Sequence, residues 1–114
     1  MAPSDQPGNA PPFTFDVSRD RHAADVRAVG ELDMAAAPTL AAEIARLRRD
    51  GCKHVRFDLR ELTFIDSSGL RFLLETHAEA RRDGFFMTVI QGPPAVQRVF
   101  ELTGTLSALP FVDD

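Results

Sequence analysis

The chain has 114 residues, 44% of them apolar, with a formal net charge of −4 and a single cysteine. This length suits one domain with a core of its own. The acidic balance argues against nucleic-acid binding through a basic face, and no run approaches the ~18 apolar residues of a membrane span.

Cys52 has no partner for an intrachain disulfide, which fits a reducing, cytoplasmic setting. Residues 1–12 are rich in Pro, Ala, Ser and Gly. They lack the basic start and apolar core of a signal peptide and read as a short flexible leader. The domain is expected over residues 13–112.

Phe13, Phe15 and Val17 alternate with polar residues, the period of a half-buried strand. Ser18-Arg19-Asp20-Arg21 is a turn candidate. A second strand over His22 to Val29 places Ala24, Val26 and Ala28 on one face, and the pair reads as a hairpin. Gly30-Glu31-Leu32-Asp33 interrupts that pattern. Pro38 suits a first helical turn. Leu40, Ile44 and Leu47 follow at helical spacing, and Gly51 is a natural stop. Arg46, Arg48 and Arg49 cluster near that stop, as Arg81 and Arg82 do on a later helix. Helix-terminus compensation and solvation account for both clusters.

His54 to Leu59 reads as a strand with Val55, Phe57 and Leu59 on one face. Leu62, Phe64 and Ile65 lead into Asp66-Ser67-Ser68-Gly69. A helix is expected from about Ser68 to Asp83, closed by Gly84. Phe86 to Ile90, nearly all apolar, predicts a strand buried on both faces. Pro94 opens a third helix carrying Val96, Val99, Phe100 and Leu102, and Leu109 to Val112 forms a last short edge strand. The order is β-β-α-β-α-β-α-β. It predicts an α/β fold with a mixed, mostly parallel sheet of about five strands, an N-terminal antiparallel hairpin and three helices.

The junction at Asp66-Ser67-Ser68-Gly69 has three readings. Asp and Ser are preferred helix N-caps, because their side-chain oxygens accept from free N–H groups. One cap suffices, so three such residues followed by glycine exceed what capping needs. A serine hydrolase elbow requires glycine two residues before the serine, where Ile65 stands. His77 lies roughly 15 Å along the same helix, and His54 roughly 17 Å along the preceding strand. No base for Ser67 emerges, so an enzyme is not expected. The third reading is regulatory phosphorylation. A phosphoserine of about −1.5 to −2 charge is tolerated at a helix N-terminus, yet it opposes a partner that docks on the uncharged serine.

These blocks resemble the STAS domain family, most closely its free-standing bacterial anti-sigma factor antagonists. The resemblance runs from about Phe13 to Val112. It rests on Gly30-Glu31-Leu32-Asp33, on Leu62 to Leu70, and on Pro94-Ala95-Val96-Gln97-Arg98-Val99-Phe100-Glu101-Leu102-Thr103-Gly104.

The resemblance implies a STAS-like single domain in which Ser67 is the phosphoacceptor. Asp33, Asp66, Ser68, Gly69 and Leu70 would form the partner-facing surface. It also implies an anti-sigma factor that is itself a serine kinase, bound by the unphosphorylated antagonist so that the sigma factor is freed. A metal-dependent serine phosphatase would reset the switch. No cofactor, metal site, nucleic acid or membrane contact is implied. The alternative within the family is a scaffold or transporter-accessory subunit without the switch. Met34-Ala35-Ala36-Ala37 is more apolar than many family members here, and Arg71 replaces a small residue, often glycine. The sequence stops at Asp114, before the C-terminal helix common in the family, so contacts made by that helix are not carried over.

Phe72 falls among Glu75, Glu79 and Asp83, opposite the stripe of Leu70, Leu73, Leu74, His77 and Arg81. That position makes it either a partner anchor or a ring packed beneath a neighbouring element. His77 lies in the apolar sector without a second ligand one turn away, which favours packing over metal binding.

Overall fold

The structure, a computed structural model, describes residues 13–113; the leader expected at residues 1–12 lies outside them. Five strands form one sheet in the order β1-β2-β3-β4-β5. They are β1 (Phe13–Asp20), β2 (Ala23–Leu32), β3 (His54–Ile65), β4 (Phe86–Ile90) and β5 (Phe111–Val112). β1 and β2 pair antiparallel, and every later pairing is parallel. Helices α1 (Ala37–Arg49), α2 (Ser67–Asp83) and α3 (Pro94–Leu102) supply the crossovers. The mixed α/β architecture expected from the sequence is therefore present.

Ala24, Val26, Val55, Phe57, Met87 and Val89 stand in register on one face and are buried. Leu40, Ile44 and Leu47 of α1, with Leu70, Phe72 and Leu73 of α2, add the helical side of the core. α1 and α2 lie side by side. At their C-terminal ends Arg48 donates to Asp83 at 3.2 Å and its guanidinium sits 4.2 Å from the centre of the Phe85 ring. No helix among the described residues is long and apolar enough to cross a membrane.

The opposite sheet face is polar. Arg56 pairs with Asp25 across β2 and β3 at 2.8 Å, and Arg27 bridges Asp16 and Glu61. His54 meets Thr88 at 3.2 Å, with Phe86 beside it, 69% exposed. The expectation that β4 is buried on both faces fails at Phe86, because that residue stands on this charged face.

Other departures are local. β3 runs on to Ile65, six residues past the expected end, with its register to β2 shifting between Arg27 and Val29 and again between Gly30 and Glu31. The hairpin turns at Arg21-His22, where Arg21 adopts a φ of 58°. The turn expected over Ser18 to Arg21 therefore lies later, since β1 continues to Asp20, and Arg21 takes a left-handed conformation that ordinarily draws Gly or Asn. Leu102, read as part of the apolar stripe of α3, is 73% exposed. His77 is half-buried, and its Nδ1 is buried without a hydrogen-bond partner.

Candidate functional site

β2 and β3 end side by side, with Leu32 paired to Ile65. Each strand is followed at once by an aspartate, Asp33 and Asp66; α2 starts directly after Asp66, whereas the turn Met34 to Ala36 separates Asp33 from α1. This parallel register brings residues 33 positions apart in sequence onto one rim.

Asp66 is the N-cap of α2, with extended backbone at φ −107° and ψ −173°. Its Oδ1 accepts from Ser68 N at 2.8 Å and Gly69 N at 3.0 Å. Two of the unpaired donors of the first turn are thereby satisfied. Its Oδ2 reaches across the rim and accepts from Met34 N at 3.2 Å. One carboxylate thus caps the helix and ties down the neighbouring loop. Asp33 closes that loop on itself, its Oδ1 accepting from Ala35 N and Ala36 N, each at 3.0 Å.

Gly69 allows α2 to sit this close. A Cβ at that position would lie 2.4 Å from the Leu32 carbonyl oxygen. The same oxygen accepts from Asp66 N at 3.2 Å. Helix start and strand end are therefore in direct backbone contact, which fixes Ser67 relative to the loop from Asp33 to Ala36.

Ser67 occupies the first helical position and is exposed, and its hydroxyl makes no hydrogen bond among the described residues. Ser68 is half-buried and turns toward α1. Beside it lies a cleft of about 300 Å³ between the helices, lined by Met34, Ala37, Pro38 and Ala41 on one side and Ser68, Arg71, Phe72 and Glu75 on the other. Met34 is 74% exposed at its mouth.

The structure brings Asp33, Asp66, Ser67, Ser68 and Gly69 together. It does not present Leu70 and Phe72 as exposed residues. Both are buried, at 8% and 7% exposure. Phe72 meets the Phe57 ring edge-on, centroids 5.7 Å apart and planes at 86°. Its placement on an exposed polar face is corrected: α2 packs against the sheet and against α1, so its buried arc is wider than one apolar stripe. Phe72 forms part of the cleft wall from within the core. The sequence reading missed the Met34 and Leu32 contacts, because they use backbone atoms that any residue type supplies.

Replacing Asp66 with alanine is expected to cost about 1–2 kcal/mol through loss of the cap. Melting temperature should fall by roughly 5–15 °C for a domain of this size. Asp66→Asn keeps one carbonyl acceptor and should lose less. Thermal unfolding of both variants checks the ranking; an Asn variant as damaged as the Ala variant would mean the Met34 contact dominates the cap.

Residues 14–114 match the STAS domain. An anti-sigma F factor antagonist of Paenibacillus polymyxa is 30% identical over 90 residues, covering 78% of this chain and 77% of the relative. An anti-sigma-B factor antagonist of Staphylococcus aureus is 26% identical over 80 residues, covering 70% and 74%. The crystal structure of an anti-sigma factor antagonist from Mycobacterium paratuberculosis superposes with a TM-score of 0.77 at 27% identity, covering 90% of this chain and 86% of that one. The unphosphorylated form of the antagonist SpoIIAA has the same fold, with a TM-score of 0.75 at 24% identity over 89% and 88% of the two chains. The domain match spans nearly all of the described fold, including the rim formed by Asp33 and Asp66, and the chain belongs to the STAS domain family.

Proposed function

We propose that this protein is an anti-sigma factor antagonist, a binding module switched by phosphorylation of Ser67. The observation that carries the reading is the state of Ser67. Its hydroxyl is exposed, holds no internal hydrogen bond, and stands on a capped helix start beside the loop at Asp33. A phosphoryl group can be added there without breaking a native contact. The names of the relatives support the class of partner.

In this reading the partner is an anti-sigma factor with serine kinase activity, and the antagonist is its substrate. Transfer forms the Ser67 Oγ–P bond and breaks the terminal phosphoanhydride bond of ATP. The hydroxyl proton leaves to a base of the kinase, and ADP is released. The unphosphorylated rim of Asp33, Asp66, Ser67, Ser68 and Gly69 binds the kinase, which lets go of its sigma factor. Phosphate adds about −1.5 to −2 charge next to the Asp66 carboxylate. The partner must then desolvate and accommodate that charge, so affinity drops while the fold persists. A metal-dependent serine phosphatase restores the binding form, and the whole cycle operates in the cytoplasm as part of a stress response.

The test is incubation with a cognate anti-sigma kinase and ATP, read by intact mass. Wild type is expected to gain one phosphoryl group and Ser67→Ala none. A phosphorylated Ser67→Ala chain would put the acceptor elsewhere. Ser67→Asp is expected to weaken binding to the kinase by roughly 10- to 100-fold, a loss of about 1.4–2.7 kcal/mol. Titration calorimetry measures it, and unchanged affinity would remove the electrostatic switch.

A further inference from the structure

We infer that Arg71 is the built-in counterion of the phosphorylated state, pairing with a phosphoryl group on Ser67 from one helical turn away. The inference rests on the reading of Ser67 as phosphoacceptor and adds what this chain does with the charge once it is attached.

Three observations converge on Arg71. It follows Ser67 by four residues on α2, so the two side chains are surface neighbours, with Cβ atoms about 6 Å apart. It is exposed and makes no ion pair among the described residues. Arg21, Arg49, Arg81 and Arg98 are also exposed without an ion pair among the described residues, but Arg71 alone follows Ser67 by one helical turn. Finally, Arg71 lines the cleft with Ser68 in the first turn and Glu75 one turn further on, so it stands at the cleft rim beside the helix start.

Helix geometry sets the direction. Long side chains on a helix lean toward its N-terminus and cover the turn before their own Cα. That geometry lets Arg71 reach back to Ser67 more readily than forward to Glu75 one turn beyond. An acid four residues before a base is also the favourable order, and the reverse order, Arg71 before Glu75, is the weaker one. The absence of an Arg71–Glu75 pair in the structure agrees with this. A phosphate on Ser67 meets both conditions and offers two oxygens to the guanidinium fork.

Regulation follows from the pairing. In the unphosphorylated protein Arg71 is available at the cleft rim for a partner. In the phosphorylated protein it turns to Ser67. One modification then adds charge and withdraws a cation from the same surface.

The test uses the full chain with phosphoserine installed genetically at position 67, which makes it independent of any kinase. The second ionisation of the phosphate is followed by phosphorus NMR in four backgrounds: wild type, Arg71→Ala, Arg71→Lys and Arg98→Ala. Arg98 is an exposed arginine on α3 and controls for net charge. The other charged groups around the phosphate are Asp66 at the cap, Asp33 on the loop and Glu75 on the helix, and they are common to all four. Free phosphoserine ionises near 6, and Arg71→Ala is expected to raise the value by roughly half a unit above wild type. Arg71→Lys should fall between them, and Arg98→Ala should match wild type. The difference should shrink in ~1 M salt, where screening acts within about 3 Å. Equal values for Arg71→Ala and Arg98→Ala would overturn the pairing. Failure of the kinase experiment with this result intact would instead remove the phosphoacceptor reading and leave the pairing standing.

Discussion

Replacing Phe72 with alanine is expected to destabilise the domain by about 3–5 kcal/mol and to lower its melting temperature by well over ~10 °C. The ring is 7% exposed and sits edge-on against Phe57, which is fully buried at the centre of the sheet. Truncation removes its buried apolar surface, opens a cavity between α2 and β3, and deletes an aromatic pair worth about 0.5–1.5 kcal/mol beyond burial. Total stability for a domain of this size is about 5–15 kcal/mol, so the loss is a large share. Phe72→Leu keeps much of the volume and should cost nearer ~1 kcal/mol. Chemical denaturation of the two variants separates the possibilities. A stable alanine variant with weakened partner binding would return Phe72 to the role of exposed anchor. A stable leucine variant that still binds would place its whole contribution in packing.

The burial of Phe72 shows what periodicity can and cannot resolve. Positions facing the sheet were legible, because Ala24, Val26 and Ala28, or Val55, Phe57 and Leu59, repeat at two and nothing else competes for them. Leu40, Ile44 and Leu47 were legible for the same reason at helical spacing. α2 has a second packing surface against α1, and there the pattern is masked. Thr76 is buried one turn after Phe72, its hydroxyl donating to the Phe72 carbonyl at 2.8 Å, so a polar residue fills an apolar position. Phe86 misleads in the opposite way, being apolar on the charged face. Its strand has a helix-facing side and a side shared with Arg56 and Asp25, and composition alone does not say which layer is missing.

The site was legible at its side chains and hidden at its backbone. Asp66 and Gly69 announce a capped, closely approached helix start. Nothing in the residue types says that Asp66 also holds Met34 N, or that the close approach is to Leu32 O. Both depend on the parallel register of β2 and β3, a long-range property set by the whole sheet.

Gly69→Ala is the sharpest test of that backbone contact, because the local and tertiary expectations have opposite signs. Within a helix, alanine is favoured over glycine by about 1 kcal/mol. At position 69 the added Cβ would stand 2.4 Å from Leu32 O and 2.9 Å from Ile65 Cγ1. A carbonyl oxygen of a paired strand cannot rotate aside, and it also accepts from Asp66 N. Overpacking of this kind costs about 1–3 kcal/mol; less the propensity gain, the variant is expected to be net destabilised by up to about 2 kcal/mol, with a melting temperature lower by up to roughly 10 °C. The start of α2 must move outward, which stretches the Asp66–Leu32 and Asp66–Met34 hydrogen bonds together. Amide exchange should therefore quicken at Met34 and Asp66 while the core of β3 stays protected. Ser67 would lose its fixed relation to Asp33, so partner binding should weaken even at temperatures where the variant is folded. A variant as stable as wild type, or more so, would show that the helix start yields freely. The rigid rim on which the proposed docking surface depends would then be absent.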